Sequence, residues 1–595
     1  MRDLRAFLAT LRREGELVEI EAECDPYLEI AEIHRRVIAG GGPALLFKHP
    51  KNADFPVVTN LFGSKKRVDL AFGTRAAAFV KRAAGLPHEL VPPSLEKLWG
   101  LRDFAWEALS VGMKSVASGP VADVAREPNL SRLPMLTCWK EDGGAFVTLP
   151  LVYTEHPDTG VHNLGMYRIQ RHADDRTGIH WQIGKGGGFH YSVAEAKGQA
   201  LPLNLFIGGP PGLIASAIAP LPENVPELLL ASLLIGEPIR RIHRPDSPLP
   251  LIAEAEFAIV GQVPPNVREA EGPFGDHYGY YSLKHDYPVL RASKLFHRKD
   301  AIFPATVVGK PRQEDFFLGD WLQELLSPLF PVVMPSVRDL WSYGETGYHA
   351  LSAAVVHERY AHEAMASAFR ILGEGQLSLT KFLIVLDTPM DLRDFKSVLR
   401  HLLARFKPET DLHIFANLSM DTLDYAGPAV NEGSKGVMLG VGPAVRDLPR
   451  EFRGELPAGC TEAIPYCDGC LVVSGPAFSD DPAAPARFAA HAAFQGWPMV
   501  VVVDDPQAAT RSDPRFLWTT FTRMEPAADI HAARRVHRNH IVFSGPVVVD
   551  ARMKPTYPDE LFCDPETAQL VSRRWSEYFP SGTVEMGDSD VAHLG

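Results

Sequence analysis

At 595 residues, 46% of them hydrophobic and 22% charged, the chain is too long for one hydrophobic core and has the composition of a globular protein of about two to four domains. Its 60 basic and 73 acidic side chains give a formal charge of −13, which argues against nucleic acid as a main partner but leaves room for a local basic pocket around a phosphate. Six cysteines in so long a chain exclude a disulfide framework.

The chain opens on MRDLRAFLATLRREGELVEIEAE, where Leu4, Phe7, Leu8 and Leu11 recur at helical spacing. This predicts an amphipathic helix ending near Gly15, then a short strand, without the uninterrupted apolar region of a signal peptide. No stretch approaches the ~20 apolar residues that cross a bilayer, so the expectation is a cytoplasmic protein with no integral membrane segment. Short apolar runs such as PALLF and FPVVTNLFG, mixed with helical periodicity, make residues 1–112 an N-terminal α/β domain. Residues 113–312 change to frequent short strands separated by Gly, Pro and Asn, including HWQIGKGGGFHY, LPLNLFIGG and AEAEFAIVGQV, the texture of a barrel or sandwich. Over residues 313–495, helical stretches alternate with the buried-looking strands KFLIVLD and DLHIFAN, which predicts a C-terminal α/β domain. A C-terminal extension, 496–595, holds the strand MVVVVDD and a Pro- and charge-rich tail. No long-period repeat is visible in the sequence. Cys460, Cys467 and Cys470 contain one CxxC but have no fourth ligand nearby, so they read as reduced structural thiols rather than a zinc or iron–sulfur site.

Four stretches of the central region carry chemistry. In NLGMYR, Asn163 offers an amide oxygen and Arg168 a planar cation that forks onto a carboxylate or phosphate. In IASAIAPLPENVPE, backbone carbonyls around Ala215, Ser216 and Ile218 precede Glu223 and Glu227, oxygen ligands of the kind hard cations take. Lys185 lies among Gly184, Gly186, Gly187 and Gly188, either a hairpin loop or an anion cradle. In EGPFGDHYGYY, Glu271 and Asp276 flank Gly-Pro-Phe-Gly. Residues five apart share a face neither on a strand nor on a helix, so a bend must bring the acids together; Pro273 pushes Gly272 toward extended geometry. Taken singly, each stretch also fits a bland role: turn residue, surface ion pair, solvated acid, acidic turn.

Taken together, these stretches resemble the UbiD family of decarboxylases that use prenylated FMN. The resemblance covers roughly residues 1–500, through DLRAFLATLRREGELVEI, GPALLFKHPKNADFPVVTNLFG, NLGMYRIQ, TGIHWQI, EGPFGDHYGYY, HRKDAIFPATVVGKP and TKFLIVLD, with EGPFGD and NxGxYR the most specific. It implies a central split β-barrel, flavin reductase-like, that binds the cofactor between α/β domains that build homodimers or homohexamers. It implies cofactor contacts from Asn163, Met166, Tyr167, Arg168, Lys185, Gly186, Glu227 and Lys381. Asn163 and Glu227 would hold Mn2+ or another divalent metal, and Ala215, Ser216 and Ile218 would bind K+. Relatives place a histidine ligand in the loop after TGxHWQ, where this chain reads Gly184, Lys185 and Gly186; His190 is the alternative donor.

The implied activity is reversible, non-oxidative decarboxylation of an aromatic acid, with carboxylation under high CO2 as the other direction and a flavin prenyltransferase as cofactor supplier. Among long members, the resemblance extends to the decarboxylase linked to menaquinone synthesis. An aspartic acid with a pKa of about 4 is a poor acid at neutral pH unless burial or a second carboxylate raises it. Asp276 is therefore expected to be the proton donor, tuned by Glu271 through Arg168. Tyr348 and His349 are weak pocket candidates. Two readings from other classes remain: a flavin reductase using FMN and NAD(P)H, for which no GxGxxG fingerprint is present, and an inactive assembly subunit, against which Arg168, Glu271 and Asp276 argue.

Overall fold

In the computed structural model, which describes residues 1–89, 94, 97, 99, 102, 111–181, 186–221, 226–310 and 312–588, the N-terminal helix spans Leu4–Arg13, as its apolar series predicts. Leu4, Phe7, Leu8 and Leu11 are buried, and the Asp3 carboxylate caps the helix by accepting from Ala6 N–H at 2.8 Å. The chain divides into two units: Met1–Leu325 with the returning tail from Glu560, and Leu326–Asp559. The break at Leu325 lies close to the expected cut at 312; of the expected extension 496–595, residues up to Asp559 belong to the second unit and the tail from Glu560 to the first. Its helix, Pro565–Tyr578, packs on the helix Glu29–Ala39, with Tyr578 Oη donating to Glu29 Oε1 at 2.5 Å.

In the first unit, β1 (Leu17–Ile20), β2 (Ala44–Phe47) and β3 (Val57–Thr59) form a small sheet that is completed by Phe303–Pro304. A second small sheet joins β4 (Met113–Ser115), β12 (Ile239–Arg244) and β13 (Ser247–Ile252). The large sheet contains β5 (Val124–Arg126), β6 (Phe146–Val147), β7 (Pro150–Glu155), β8 (His162–Gly165), β9 (Ile169–Ala173) and β10 (Arg176–Ile179). It also contains β11 (Leu201–Ile207), β14 (Phe257–Val263), β15 (Arg268–Glu271) and β16 (His285–His297). Its main path runs β6-β9-β10-β16-β14-β11-β7-β8, with β5 and β15 also on β16. The sheet is open: among the described residues its end strands, β6 and β8, do not pair, so the expected barrel does not close on itself. In HWQIGKGGGFHY the second half, from Gly186, is not a strand either: it starts the helix Gly186–Ala196. Helix formers in the continuing SVAEA favour that outcome over strand pairing.

The second unit carries two five-stranded sheets. The first has β18 (Val337–Ser342), β19 (Leu351–Val356), β20 (Phe382–Leu386), β21 (Leu412–Leu418) and β22 (Gly433–Gly440), in the order β18-β19-β20-β22-β21. The second has β23 (Ala463–Cys467), β24 (Cys470–Ser474), β25 (Met499–Val503), β26 (Ile530–His537) and β27 (His540–Asp550), in the order β23-β24-β25-β27-β26. In each, the three inner strands run parallel, which is why FLIVL and MVVVV are unbroken apolar runs. The two orders are the same, a repeat the sequence does not display. Cys467 and Cys470 are cross-strand partners on β23 and β24, and all six cysteines are buried thiols without a disulfide. Among the described residues no helix is long and apolar enough to cross a membrane.

Candidate active site

Four strands bring the charges of the first unit together. Arg168 stands just before β9, β9 pairs with β10, β10 pairs with β16, and β16 pairs with β15, whose last residue is Glu271. Arg168 Nε and Nη2 donate to Glu271 Oε1 and Oε2 at 2.7 and 2.9 Å, a fork-to-fork pair. Nη1 reaches Asp276 Oδ2 at 2.5 Å, and Nη2 also donates to Ser282 Oγ at 2.9 Å. Glu271 is 0% exposed and Asp276 6% exposed, so the expected acid–arginine–acid array is assembled and buried.

The bend between the acids depends on two glycines. Gly272 has φ +90°, not the extended geometry expected before a proline, and the Gly272–Pro273 peptide is cis. Gly275 lies flat on the Trp139 ring, where an added Cβ would come within 2.1 Å. Asp142, which sequence reasoning missed, holds the bend from beneath: Oδ1 accepts from Gly275 N–H at 2.8 Å, and Oδ2 from Cys138 and Trp139 N–H at 2.9 Å each. Gln170 Oε1 accepts from Gly272 N–H at 2.8 Å. The returning tail covers the far side, with Leu561 N–H donating to Gly279 O at 3.0 Å and Glu560 bridging to Tyr280. Gly275→Ala is therefore expected to displace Asp276 and to destabilise the fold by about 1–3 kcal/mol through overpacking, read as a drop in the denaturation midpoint.

Two histidines complete the array. His180 Nδ1 lies 3.1 Å from Glu271 Oε2, and its ring packs 4.3 Å from that of Tyr287. Burial and the Arg168 charge lower its pKa, so a neutral ring donates Nδ1–H to the carboxylate. His277 gives Asp276 Oδ1 both its backbone N–H and its Nδ1, each at 2.7 Å. Burial alone would raise both acids, but Arg168 and His180 hold Glu271 at about 2, and His277 and Arg168 hold Asp276 well below the usual carboxylate range. Of the opposing influences expected on the two acids, the arginine and the donated hydrogen bonds outweigh desolvation, so both acids are held in the ionised form. His180 and His277 both lie in stretches the sequence singled out, TGIHWQI and EGPFGDHYGYY. No local pattern marks Asp142.

Asn163 on β8 is 8% exposed, and among the described residues its Nδ2 has no hydrogen-bond partner at normal length. Half-buried Glu227, the first residue of the helix Glu227–Ile235, accepts from Leu164 N–H at 3.0 Å. Burial raises its pKa, against the lowering effect of the Leu164 N–H and its own backbone N–H. A desolvated carboxylate beside an amide is a donor set that a divalent cation fits. Among the described residues, no group of three or more His, Cys, Asp or Glu side chains converges as a metal site. His190 instead hydrogen-bonds Thr154 Oγ1 through Nδ1 at 2.9 Å, and Thr154 is the cross-strand partner of Asn163. Gly186 abuts Asn163, since a Cβ there would lie 2.0 Å from Oδ1.

Tyr167 Oη accepts from Gly187 N–H at 3.2 Å, and Met166 is half-buried beside it. Ala215, Ser216 and Ile218 lie in the last turns of the helix Pro211–Ile218, where Ser216 Oγ already donates to Gly212 O at 2.6 Å. Lys185 and Glu223 lie outside the described residues. Lys381 belongs to the second unit, where its Nζ is 2.7 Å from Asp424 Oδ2; His349 there pairs with Asp421.

Models of the three 3-octaprenyl-4-hydroxybenzoate carboxy-lyase domains match the chain in order: N-terminal at residues 8–86, Rift-related at 114–311 and C-terminal at 316–440. The chain belongs to the UbiD family. It is 49% identical over 582 residues to a 4-hydroxybenzoate decarboxylase component from Chlamydia pneumoniae, spanning 97% of this chain and 98% of that one. It is 50% identical over 591 residues to an uncharacterized protein of Chlamydia trachomatis serovar D, spanning 98% and 100%. Among solved UbiD-class structures, it is similar to the closed form of vanillic acid decarboxylase from Sedimentibacter hydroxybenzoicus (26% identity, TM-score 0.65, 77% of this chain and 96% of that one). In fold it also matches an evolved dimeric form of the UbiD-class enzyme HmfF from Pelotomaculum thermopropionicum in complex with prFMN (23% identity, TM-score 0.61, 77% and 97%).

Proposed function

We propose that this UbiD-family chain catalyses the non-oxidative decarboxylation of an aromatic carboxylic acid with prenylated FMN, and that Asp276 delivers the proton that replaces CO2. The observation that carries this reading is the buried Glu271–Arg168–Asp276 array on the large sheet of a family chain. Losing CO2 from an aromatic carbon leaves a carbanion that no side chain stabilises, and prenylated FMN, when bound, supplies the electron sink.

The protein's own task is to orient groups and to move the proton. Arg168 makes four hydrogen bonds of the five a guanidinium can donate, all to Glu271, Asp276 and Ser282, so it fixes the acids rather than clamping a substrate carboxylate. Asp276, ionised at rest, must take up a proton before it gives one. His277 Nδ1, 2.7 Å from Oδ1 on a side chain 24% exposed, is the group placed to hand it over. Glu271, held on two sides by Arg168 and His180, stays the fixed charge that keeps the guanidinium in place. The same groups would take up the ring proton in the carboxylation direction.

Asn163 and Glu227 would hold a divalent ion, such as manganese, at the cofactor's phosphate, and the terminal carbonyls of the helix Pro211–Ile218 are oxygens of the kind K+ takes. Glu227→Gln should cut the metal content of the isolated protein by about tenfold or more, read by elemental analysis. Unchanged metal would remove Glu227 from the site. The reading as a whole is tested by co-expression with a flavin prenyltransferase, mass measurement of the bound flavin, and a screen of aromatic acids for CO2 release and ring deuterium exchange. Exchange with no aromatic, heteroaromatic or acrylic acid by flavin-loaded protein would overturn it.

A further inference from the structure

We infer that residues 463–550 are a second copy of the fold of residues 337–440, and that the copy fills, within the same chain, the self-complementary face on which another chain would otherwise seat. The two sheets agree residue by residue as well as in order. Leu351, Phe382 and Gly436 lie side by side across β19, β20 and β22, as Cys470, Met499 and Val547 do across β24, β25 and β27. Two residues further along, Met438 pairs with Leu412 and Val549 with Ile530. One register therefore superposes both ladders.

The connections repeat too. The fourth strand of each sheet is entered through the same short turn, KPETDLH in the first and EPAADIH in the second. Lys407 N–H donates to Asp411 Oδ2 at 2.8 Å, and Glu525 N–H to Asp529 Oδ2 at 2.6 Å. Tyr343 and Tyr466 follow matching positions of the first strands. Tyr343 Oη donates to Leu392 O at 2.7 Å, just before the helix Phe395–Arg405, and Tyr466 Oη to Asp513 Oδ1 at 2.9 Å, at the start of the helix Asp513–Arg523.

The contacts between the copies are reciprocal. The turn Pro408–Asp411 packs on β27, and the corresponding turn Pro526–Asp529 packs on β22. The helix Phe395–Arg405 packs on β23 and β24, and its counterpart Asp513–Arg523 packs on Gly344–Thr346, between β18 and β19. Equivalent elements exchanging equivalent contacts is the isologous arrangement of a homodimer, here made by one chain. Its centre is aromatic, as in permanent interfaces: Phe395 lies 6.2 Å from Phe516 and 6.0 Å from Phe521, and Phe382 lies 5.9 Å from Phe521.

The copies differ where the charges are. Lys381 and Lys435, each one residue before the aligned Phe382 and Gly436, are buried beside Asp424 and Asp421, whereas the matching positions of the copy are Pro498 and Pro546. The copy has kept the packing face without the charged cluster, so its role is that of a partner. Any assembly of this chain then uses another face, a conclusion independent of the proposed activity.

Lys396 and Asp513 span the two copies at 3.0 Å, and Lys66 and Glu16 form a pair within the first unit at 2.7 Å. Zero-length carbodiimide cross-linking of the full chain should join both pairs. Differently tagged Lys396→Ala and Asp513→Ala chains, co-expressed, allow the first link only between chains. The expected result is loss of that link to background while Lys66–Glu16 persists in both. A Lys396–Asp513 link in the co-expressed pair, or its absence from the wild-type chain when Lys66–Glu16 forms, would overturn the inference.

Discussion

Asp276→Asn abolishes most turnover while leaving the flavin in place: the expected fall in CO2 release is about 10²–10⁴-fold, the range of a lost general acid. The amide keeps the shape of the side chain and one acceptor for Arg168 Nη1, which now binds at 2.5 Å, so the bend over Trp139 and Asp142 stays closed. It cannot carry the proton that His277 is placed to deliver. Ring deuterium exchange should fall in parallel with CO2 release, since both need the same proton transfer, whereas flavin absorbance should not change. Near-normal exchange in flavin-loaded Asp276→Asn protein would remove Asp276 from the chemistry and leave Glu271 as the next candidate.

Arg168→Met should be the most destabilising single change in the array, by about 3–5 kcal/mol, because it strands two buried carboxylates without their cation. Its pH signature separates it from a simple packing defect. In the wild type, Glu271 is lowered to about 2 from 4.5, so its stabilising contribution is complete above about pH 4.5 and is lost as the pH falls toward 2. Without Arg168, its largest lowering influence, Glu271 is raised above its unfolded value by desolvation and the second carboxylate, while Asp276 keeps His277. Stability should then fall as the pH rises through neutrality, the opposite slope. Urea midpoints measured from pH 5 to 8 test this, and a variant profile parallel to the wild type would refute the account. Arg168→Lys should recover little, since a point charge cannot reproduce the fork on Glu271 and reach Asp276 as well.

Much of the fold is legible in the sequence because periodicity reports burial directly. The amphipathic series of Leu4 to Leu11 and the unbroken runs FLIVL and MVVVV state their elements locally. The glycine run after TGIHWQI misleads because glycine removes the side-chain signal, and its helix Gly186–Ala196 is decided by the residues that follow. The repeat in the second unit is hidden for a related reason. A parallel sheet requires apolar residues but not particular ones, so two copies with one register share little beyond KPETDLH and EPAADIH.

For the site, the sequence by itself singled out Arg168, Glu271 and Asp276 as candidates and required a bend to join the two acids. Their protonation was decided only by the tertiary structure. It set one guanidinium between both acids, gave each acid a histidine, and brought Asp142 and the tail at Leu561 to the bend from either side of it in the sequence. A carboxylate's pKa depends on desolvation and on charges within a few ångströms, and those neighbours come from segments far apart in sequence. For that reason the sequence identified the acids and the opposing influences on Asp276 but not which of them wins, whereas the assembled array holds it ionised until a proton is supplied.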